Sequence, residues 1–286
     1  MRIGPQQVVW IAGASGRIGS ALLRLIDHGK YAVITSDREV DITDLDVVTN
    51  FAAVNRPDIV INCAALLASS DGAIDKLEAY RLNALGARNM AVASEAVGAT
   101  IVHFSTDDVY SGKARVLVNE FDTPCPTHIY GRSKLAGETF VRELNPQHII
   151  LRSSWVYDDR PGRIFDQVLE AGRTGAPIEV AANQFSSPTS TLSVASAALA
   201  IIEADEYGLF HIASRGTCSR FEFAKRILDL AGLSSQNLIG KYDEADAYTI
   251  ELEDLMLELT GVYTMPRWEE DLHMYMISAG LLAEEA

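Results

Sequence analysis

The stretch "VVWIAGASGRIG" (8–19) restricts the fold of this chain more than any other segment. An apolar run of strand composition enters a turn with Gly13, Gly16 and Gly19, after which Ile18, Ala21, Leu22, Leu25 and Ile26 recur at helical spacing. Strand, glycine turn and helix in immediate succession are the opening unit of a parallel sheet that binds a dinucleotide. The turn needs backbone freedom so that the main chain can approach a pyrophosphate. The helix N-terminus then offers N–H donors and the positive end of its dipole. Ser15, Arg17 and Ile18 lie within the same turn and join the glycines as candidate cofactor contacts. A plain glycine-rich turn has the same letters. What argues for the ligand is the context, together with Asp37, which closes the next strand-like run, "YAVIT", about 20 residues on, where a carboxylate can accept from ribose hydroxyls.

The alternation continues. Strands are expected at 31–35, 58–65, 100–105 and 148–154, with helices over "DLDVVTNFAAVN", over 78–97 and around Lys134. This predicts an α/β chain: a Rossmann-type doubly wound parallel sheet with right-handed crossovers, plus a smaller mixed α/β substrate-binding lobe. The expected division is 1–157 for the dinucleotide-binding domain, with 190–213 returning to it, and 158–189 and 214–286 for the lobe. In the second half, helices are expected at 164–173, 192–204 and 220–231, and strands at 178–181 and 209–213. "FSSPTST" reads as a connection and "ELEDLMLEL" as an acidic helix.

Composition removes several function classes. With 286 residues, of which 48% are hydrophobic, the chain can bury a large core, and its formal charge of −15 disfavours nucleic acid and anionic membranes as partners. The longest strongly apolar run, "VASAALAII" (194–202), is too short to span a bilayer, and no signal peptide is apparent. Cys63, Cys125 and Cys218 form no C-x-x-C pair, which fits a reducing cytoplasm, and the histidines form no metal-binding pattern, so no metal is expected. The expected partner is a small-molecule substrate. A homodimer is compatible with the sequence.

In parallel α/β sheets ligands bind beyond the C-terminal ends of the strands. The fourth strand ends in "STDD", which brings Ser105, Thr106 and Asp107 to that edge, and "IYGRSK" (129–134) follows on a helix. Tyr130 and Lys134 are four residues apart and share a helical face. A free phenol, with a pKa of about 10, exchanges protons poorly near neutrality. An adjacent ammonium stabilises the phenolate and can hold the nicotinamide ribose. A hydroxyl at Thr106 can steady a developing alkoxide. These three residues suit hydride transfer to a carbonyl. The bland reading, a surface Tyr/Lys pair and a strand-ending threonine, loses weight because all three lie where the glycine turn places a cofactor. Asp37 favours NAD(H), and Arg38 beside it could pair with the 2′-phosphate of NADP(H), so the cofactor is read as NADP(H) or NAD(H). Asp41 and Ile42, in "DITD", could line the adenine pocket. Capping of the next helix accounts equally well for Asp41.

With "GASGRIG", "DITD", "RPDIVINCAA", "LNALGARNMA", "VHFSTDDVYSG", "YGRSKLAGE", "LRSSWVY", "QFSSPT" and "MPRWEEDL" in this order, the chain resembles an extended short-chain dehydrogenase/reductase of the dTDP-4-dehydrorhamnose reductase family over roughly 8–275. The resemblance implies that Thr106, Tyr130 and Lys134 are catalytic. It also implies that Cys63, Ala64 and Ala65, with Tyr130 and Lys134, hold the cofactor, and that Trp155 lies near the substrate sugar, although core packing explains Trp155 equally well. Asp107 joins the substrate-side candidates. Departures from the family pattern bear on the substrate. Leu66 and Leu67 replace polar or aromatic groups, Asp71 stands where the family has lysine, Asp108 replaces a tyrosine, and "ADAYTIELED" lacks a basic residue that could hold an anionic nucleotide. The resulting expectation is an NAD(P)H-dependent reductase of a 4-keto sugar nucleotide. Its alternatives are a reductase of a more hydrophobic ketone, which Leu66 and Leu67 would suit, and a non-catalytic NAD(P)-binding regulatory subunit. A dehydratase or epimerase ranks low, because the acid following Asp107 is aspartate rather than the usual glutamate.

Overall fold

A computed structural model describes residues 6–67, 74–112, 116–245 and 247–283. The chain divides into two units: 1–111, 123–152 and 198–210 form the first, and 112–122, 153–197 and 211–286 the second.

The first unit is built on a six-stranded sheet. Strand β1 (Gln7–Ala12) lies between β2 (Tyr31–Ser36) and β3 (Ile59–Asn62), and β4 (Thr100–Thr106) flanks β3. His148–Ser153 and then Gly208–His211 complete the order. Pairing of β1 with β2 and β3, and of β3 with β4, is parallel. Every residue of β3 is buried, as is β1 from Val9 to Ala12, the continuous apolar pattern that helices on both faces of a sheet demand. One face packs Trp10, Val60, Ile101 and Ile150 with Val48, Ala52, Met90 and Ala91 from helices. The Trp10 indole N–H donates to Ser36 Oγ at 2.8 Å, so its polar edge is satisfied inside that core. The doubly wound α/β expectation holds.

The helix expected over 78–97 is interrupted. An α-turn over Lys76–Tyr80 passes into a π-helical turn, Arg81–Gly86, before α-helix resumes at Ala87–Ala96. The wider turn directs Asn83 inward, where its amide is fully satisfied.

The second unit pairs Cys218–Ser219, Gln184–Ser186, Tyr248–Leu252 and Val116–Val118 in that order, and sets Leu238–Lys241 parallel to Ile178–Ala181. Its core joins Tyr157, Phe165, Val168, Phe223, Ile227, Trp268, Leu272 and Tyr275. Two expectations need correction. The "ELEDLMLEL" segment is not one helix: Glu251 and Leu252 end the strand Tyr248–Leu252, and the helix is confined to Leu255–Thr260. Alternation in "YTIEL", with Ile250 and Leu252 buried, matches the period of a strand and prevails over the helix propensity of Glu and Leu. "FSSPTST" is not merely a connection either, since it supplies the strands Gln184–Ser186 and Thr189–Ser190.

Ser190 of that segment, with Ser193 and Ser214, meets Asp271, which is 1% exposed. Its carboxylate accepts from the Ser190 N–H and Oγ, both at 2.6 Å, from Ser193 Oγ at 2.5 Å and from Ser214 Oγ at 3.0 Å. A buried carboxylate is tolerated only with such a full set of donors. Asp271→Asn introduces a donor where only acceptors fit. It is expected to cost about 1–3 kcal/mol, measured as a lower midpoint of thermal unfolding. An unchanged midpoint would show that the serines do not depend on the charge. Among the described residues, no helix is long and apolar enough to cross a membrane.

Candidate active site

The C-terminal edge of the sheet in the first unit collects most of the sequence candidates. Gly13 has φ +77°, and a Cβ there would stand 2.8 Å from the backbone nitrogen of Ala64. The turn after β1 therefore packs against the loop after β3 as only glycine allows, with Cys63 N–H donating to Ala12 O at 2.9 Å. Helix α1 (Arg17–Leu25) starts directly behind Gly16, which occupies the N-cap position and has no side chain to cap it. Ile18 lies in its first turn, and Gly19 packs against Gly13 O, leaving no room there for a side chain. Asp37, just beyond β2, accepts from Ser15 N–H at 3.0 Å and from Ser15 Oγ at 2.8 Å, which ties the second strand's end to the glycine turn. Arg38 follows Asp37 and is exposed.

The "DITD" residues are held by local contacts. Asp41 accepts from Thr43 N–H at 2.9 Å and from Thr43 Oγ1 at 2.8 Å; those two bonds, side chain first, hold its carboxyl below the ordinary range. Ile42 is 4% exposed and belongs to the core, where it packs on Gly86. Asp44 caps helix α2 (Leu45–Asn55) by accepting from the Asp46 and Val47 N–H groups.

The catalytic candidates converge at β4. Thr106 is its last residue, and its Oγ1 donates toward the Asp107 and Asp108 carboxylates at 3.1 and 3.2 Å. The helix Ile129–Leu144 passes so close that a Cβ on Gly131 would overlap Asp108 O. That glycine follows Tyr130 directly and lets the phenol reach the strand end. Burial pushes the Tyr130 phenol above its usual range. Asp108 and then Asp107 push it further, and Arg17 of the glycine turn draws it back. Tyr130 is thus within electrostatic reach of both the glycine turn and the end of β4.

One turn later Lys134 is 2% exposed. Burial lowers its ammonium to about 8, against the opposing pull of Glu138 and Cys63. Its Nζ lies 3.3 Å from His103 Nε2. Cys63, Ala64 and Ala65 follow β3, and burial pushes the Cys63 thiol up. Leu66 is pinned by Asn83, whose Oδ1 accepts its N–H at 2.8 Å and whose Nδ2 donates to its carbonyl at 3.0 Å. The same Nδ2 lies 3.0 Å from Ser133 Oγ on the Tyr130 helix. Leu67 is 39% exposed, and Asp71 lies outside the described residues.

The second unit carries Trp155 on a strained backbone, φ +37°. Its indole N–H donates to Tyr248 OH at 2.7 Å, and the Arg220 guanidinium stacks 4.0 Å over its ring. Arg220 Nε donates to Gln184 Oε1 at 3.0 Å. Arg220, Tyr248, Gln184, Asn83 and His103 were not singled out as site residues from the sequence. Apart from the quoted stretches around Asn83, His103, Gln184 and Tyr248, nothing in the sequence distinguishes them. Among the described residues, no group of three or more His, Cys, Asp or Glu side chains could hold a metal ion.

The donor set fits a dinucleotide: a glycine cradle that side chains would fill, a helix N-terminus behind it, and a carboxylate at the end of β2. The chain matches the family described as RmlD substrate binding domain over residues 7–277. It is 32% identical over 276 residues to the spore coat polysaccharide biosynthesis protein SpsK of Bacillus subtilis, covering 94% of this chain and 96% of that one. It is 34% identical over 236 residues to the dTDP-4-dehydrorhamnose reductase of Mycolicibacterium smegmatis, covering 81% and 72% of the two chains. The crystal structure of dTDP-4-dehydrorhamnose reductase from Bacillus anthracis in complex with NADP superposes with a TM-score of 0.91 at 35% identity, covering 96% of this chain and 99% of that one.

Proposed function

Because the chain belongs to the RmlD substrate binding domain family, we propose that it reduces the 4-keto group of a sugar nucleotide with NADPH or NADH. It is an NAD(P)H-dependent oxidoreductase of the extended short-chain dehydrogenase/reductase type. The observation that carries the reading is the helix Ile129–Leu144, which brings Tyr130 and Lys134 against the end of β4: Gly131, next to Tyr130, packs on Asp108 O, and Lys134 Nζ lies 3.3 Å from His103 Nε2.

When bound, the nicotinamide supplies hydride to the carbonyl carbon. The chain's residues do the rest. Gly13, Ser15, Gly16 and Gly19, with the N-terminus of α1, cradle the pyrophosphate, and Asp37 accepts from ribose hydroxyls. Tyr130 Oη–H gives its proton to the carbonyl oxygen as negative charge develops there. The Thr106 hydroxyl donates to the same oxygen and lowers the energy of the alkoxide. Lys134, while protonated, stabilises the phenolate left behind. A phenol whose pKa is raised in the resting protein keeps its proton until that moment, as reduction requires.

Similarity to proteins named dTDP-4-dehydrorhamnose reductase supports a sugar nucleotide over an apolar ketone. Cys63, Cys125 and Cys218 are free thiols, and this fits a cytoplasmic seat for the same activity. Mixing the protein with NADPH or NADH and a panel of 4-keto sugar nucleotides should give ketone-dependent loss of the reduced-nicotinamide absorbance. Turnover of apolar ketones alone would replace the substrate class. No turnover with any ketone would leave the regulatory-subunit reading.

A further inference from the structure

Lys134 does not stand alone in the core of the first unit. His103, on β4, is 1% exposed, and its two ring nitrogens face different partners. Nδ1 lies 3.2 Å from Asn62 Nδ2, and Nε2 lies 3.3 Å from Lys134 Nζ. Asn62, the last residue of β3, is 1% exposed as well. Its amide has one orientation only, because Oδ1 accepts the backbone N–H of Ala64 at 3.1 Å. Turning the amide over would set an NH₂ group against that N–H. The NH₂ therefore faces His103 Nδ1, and Nδ1 must be the acceptor. A neutral imidazole carries one proton, so it sits on Nε2 and points at Lys134.

We propose that His103, fixed as its Nε2–H tautomer by Asn62, is the positioning residue that sets the proton affinity of Lys134 by donating to Nζ and favouring the amine over the ammonium. The nitrogen of an amine has a lone pair to accept this bond; an ammonium has none. Lys134 is therefore a group that exchanges its proton near neutral pH and not a permanently charged clamp. Other groups face Nζ as well: Cys63 at the end of β3 and Glu138 one turn on along the same helix both favour the charged form, and burial opposes it. Burial and the Lys134 charge keep His103 itself neutral, depressed well below the ordinary imidazole range. His103 has no contact with the reacting atoms in this scheme and acts only through Lys134.

The catalytic consequence rests on the reductase reading, but the decisive measurements do not. Two-bond ¹H–¹⁵N correlation of the whole chain with ¹⁵N-labelled histidine should show His103 neutral and protonated at Nε2 across the neutral range. Titration of the Lys134 side chain by ¹³C NMR should give a midpoint that rises by about half to one pH unit in His103→Phe, the worth of one hydrogen bond. His103→Gln, whose amide N–H can take the Nε2 position, should return the midpoint toward that of the unaltered protein. If the enzyme reduces a ketone, the alkaline limb of kcat/KM should move with that midpoint. An Nδ1–H tautomer, an imidazolium, or a Lys134 midpoint unmoved in both variants would overturn the proposal, even if those variants were less stable. Should His103→Phe not fold, the tautomer in the unaltered protein decides.

Discussion

Replacing Tyr130 by phenylalanine is expected to lower kcat for ketone reduction by about 10²–10⁴-fold, the range of a positioned general acid. Dinucleotide affinity should change by much less. The substitution removes one oxygen and keeps the ring, so the close passage of the helix over Asp108, which Gly131 allows, is preserved. The asymmetry follows from the division of labour at the site. In the proposed scheme, binding energy for the cofactor is spread over the glycine turn, Asp37 and the loop after β3, whereas the transferred proton comes from a single atom. Steady-state kinetics together with cofactor titration by fluorescence would separate the two quantities. A variant with full turnover would remove Tyr130 from the reaction. A variant that failed to bind cofactor would make its role structural.

The second large effect concerns an ion pair that no surface inspection would find. Glu138 lies one turn beyond Lys134 and is fully buried, as is Arg152. Arg152 donates to Glu138 through Nε at 2.9 Å and Nη2 at 2.6 Å, and through Nη1 to Tyr110 OH at 2.6 Å; Ser105 Oγ donates to the same carboxylate at 2.5 Å. Glu138→Ala would leave a guanidinium inside the core with no counter-charge, and removing one partner of a buried pair costs about 3–5 kcal/mol. Equilibrium urea unfolding should register this as a lower midpoint. Changing both partners together, Glu138→Leu with Arg152→Met, should recover most of the loss, because a well-packed apolar pair has no charge to desolvate. If the double variant is as unstable as the single one, the cost lies in packing and not in the orphaned charge. Ser105 adjoins Thr106, so the pair also fixes the strand end that presents the hydroxyl proposed to steady the alkoxide.

The parallel sheet, the glycine turn and the Tyr130–Lys134 spacing were legible in the sequence because each is written in short-range order: apolar runs, a glycine period, a four-residue interval. What could not be read arises from pairs distant along the chain. Trp155 meets Tyr248 across 93 residues, and Ser190 meets Asp271 across 81. His103 sits inside a quoted motif, "VHFSTDDVYSG", yet a lone histidine on an apolar strand carries no sign of its partners until β3 is placed beside β4. The motif around Ile42 draws attention to an adenine pocket; what the sequence does not reveal is that the side chain packs in the hydrophobic core against Gly86. The acidic helix expected near the C-terminus failed for a physical reason too. Glu and Leu favour helix in isolation, but pairing of Tyr248–Leu252 with two neighbouring strands outweighs that preference.

The wide turn at Arg81–Gly86 carries a consequence for how this fold tolerates change. A regular helix advances about 100° per residue, so a turn with one residue more than the usual count offsets the phase of everything on one side of it from everything on the other. Asn83 occupies the seam, clamping Leu66 on one flank and contacting Ser133 on the other. Loss of a single residue here would convert the wide turn to regular α-helix and withdraw the amide that joins the β3 loop to the helix Ile129–Leu144. Length is therefore conserved by geometry at this point, and substitutions are the only variation the segment can absorb without losing that joint.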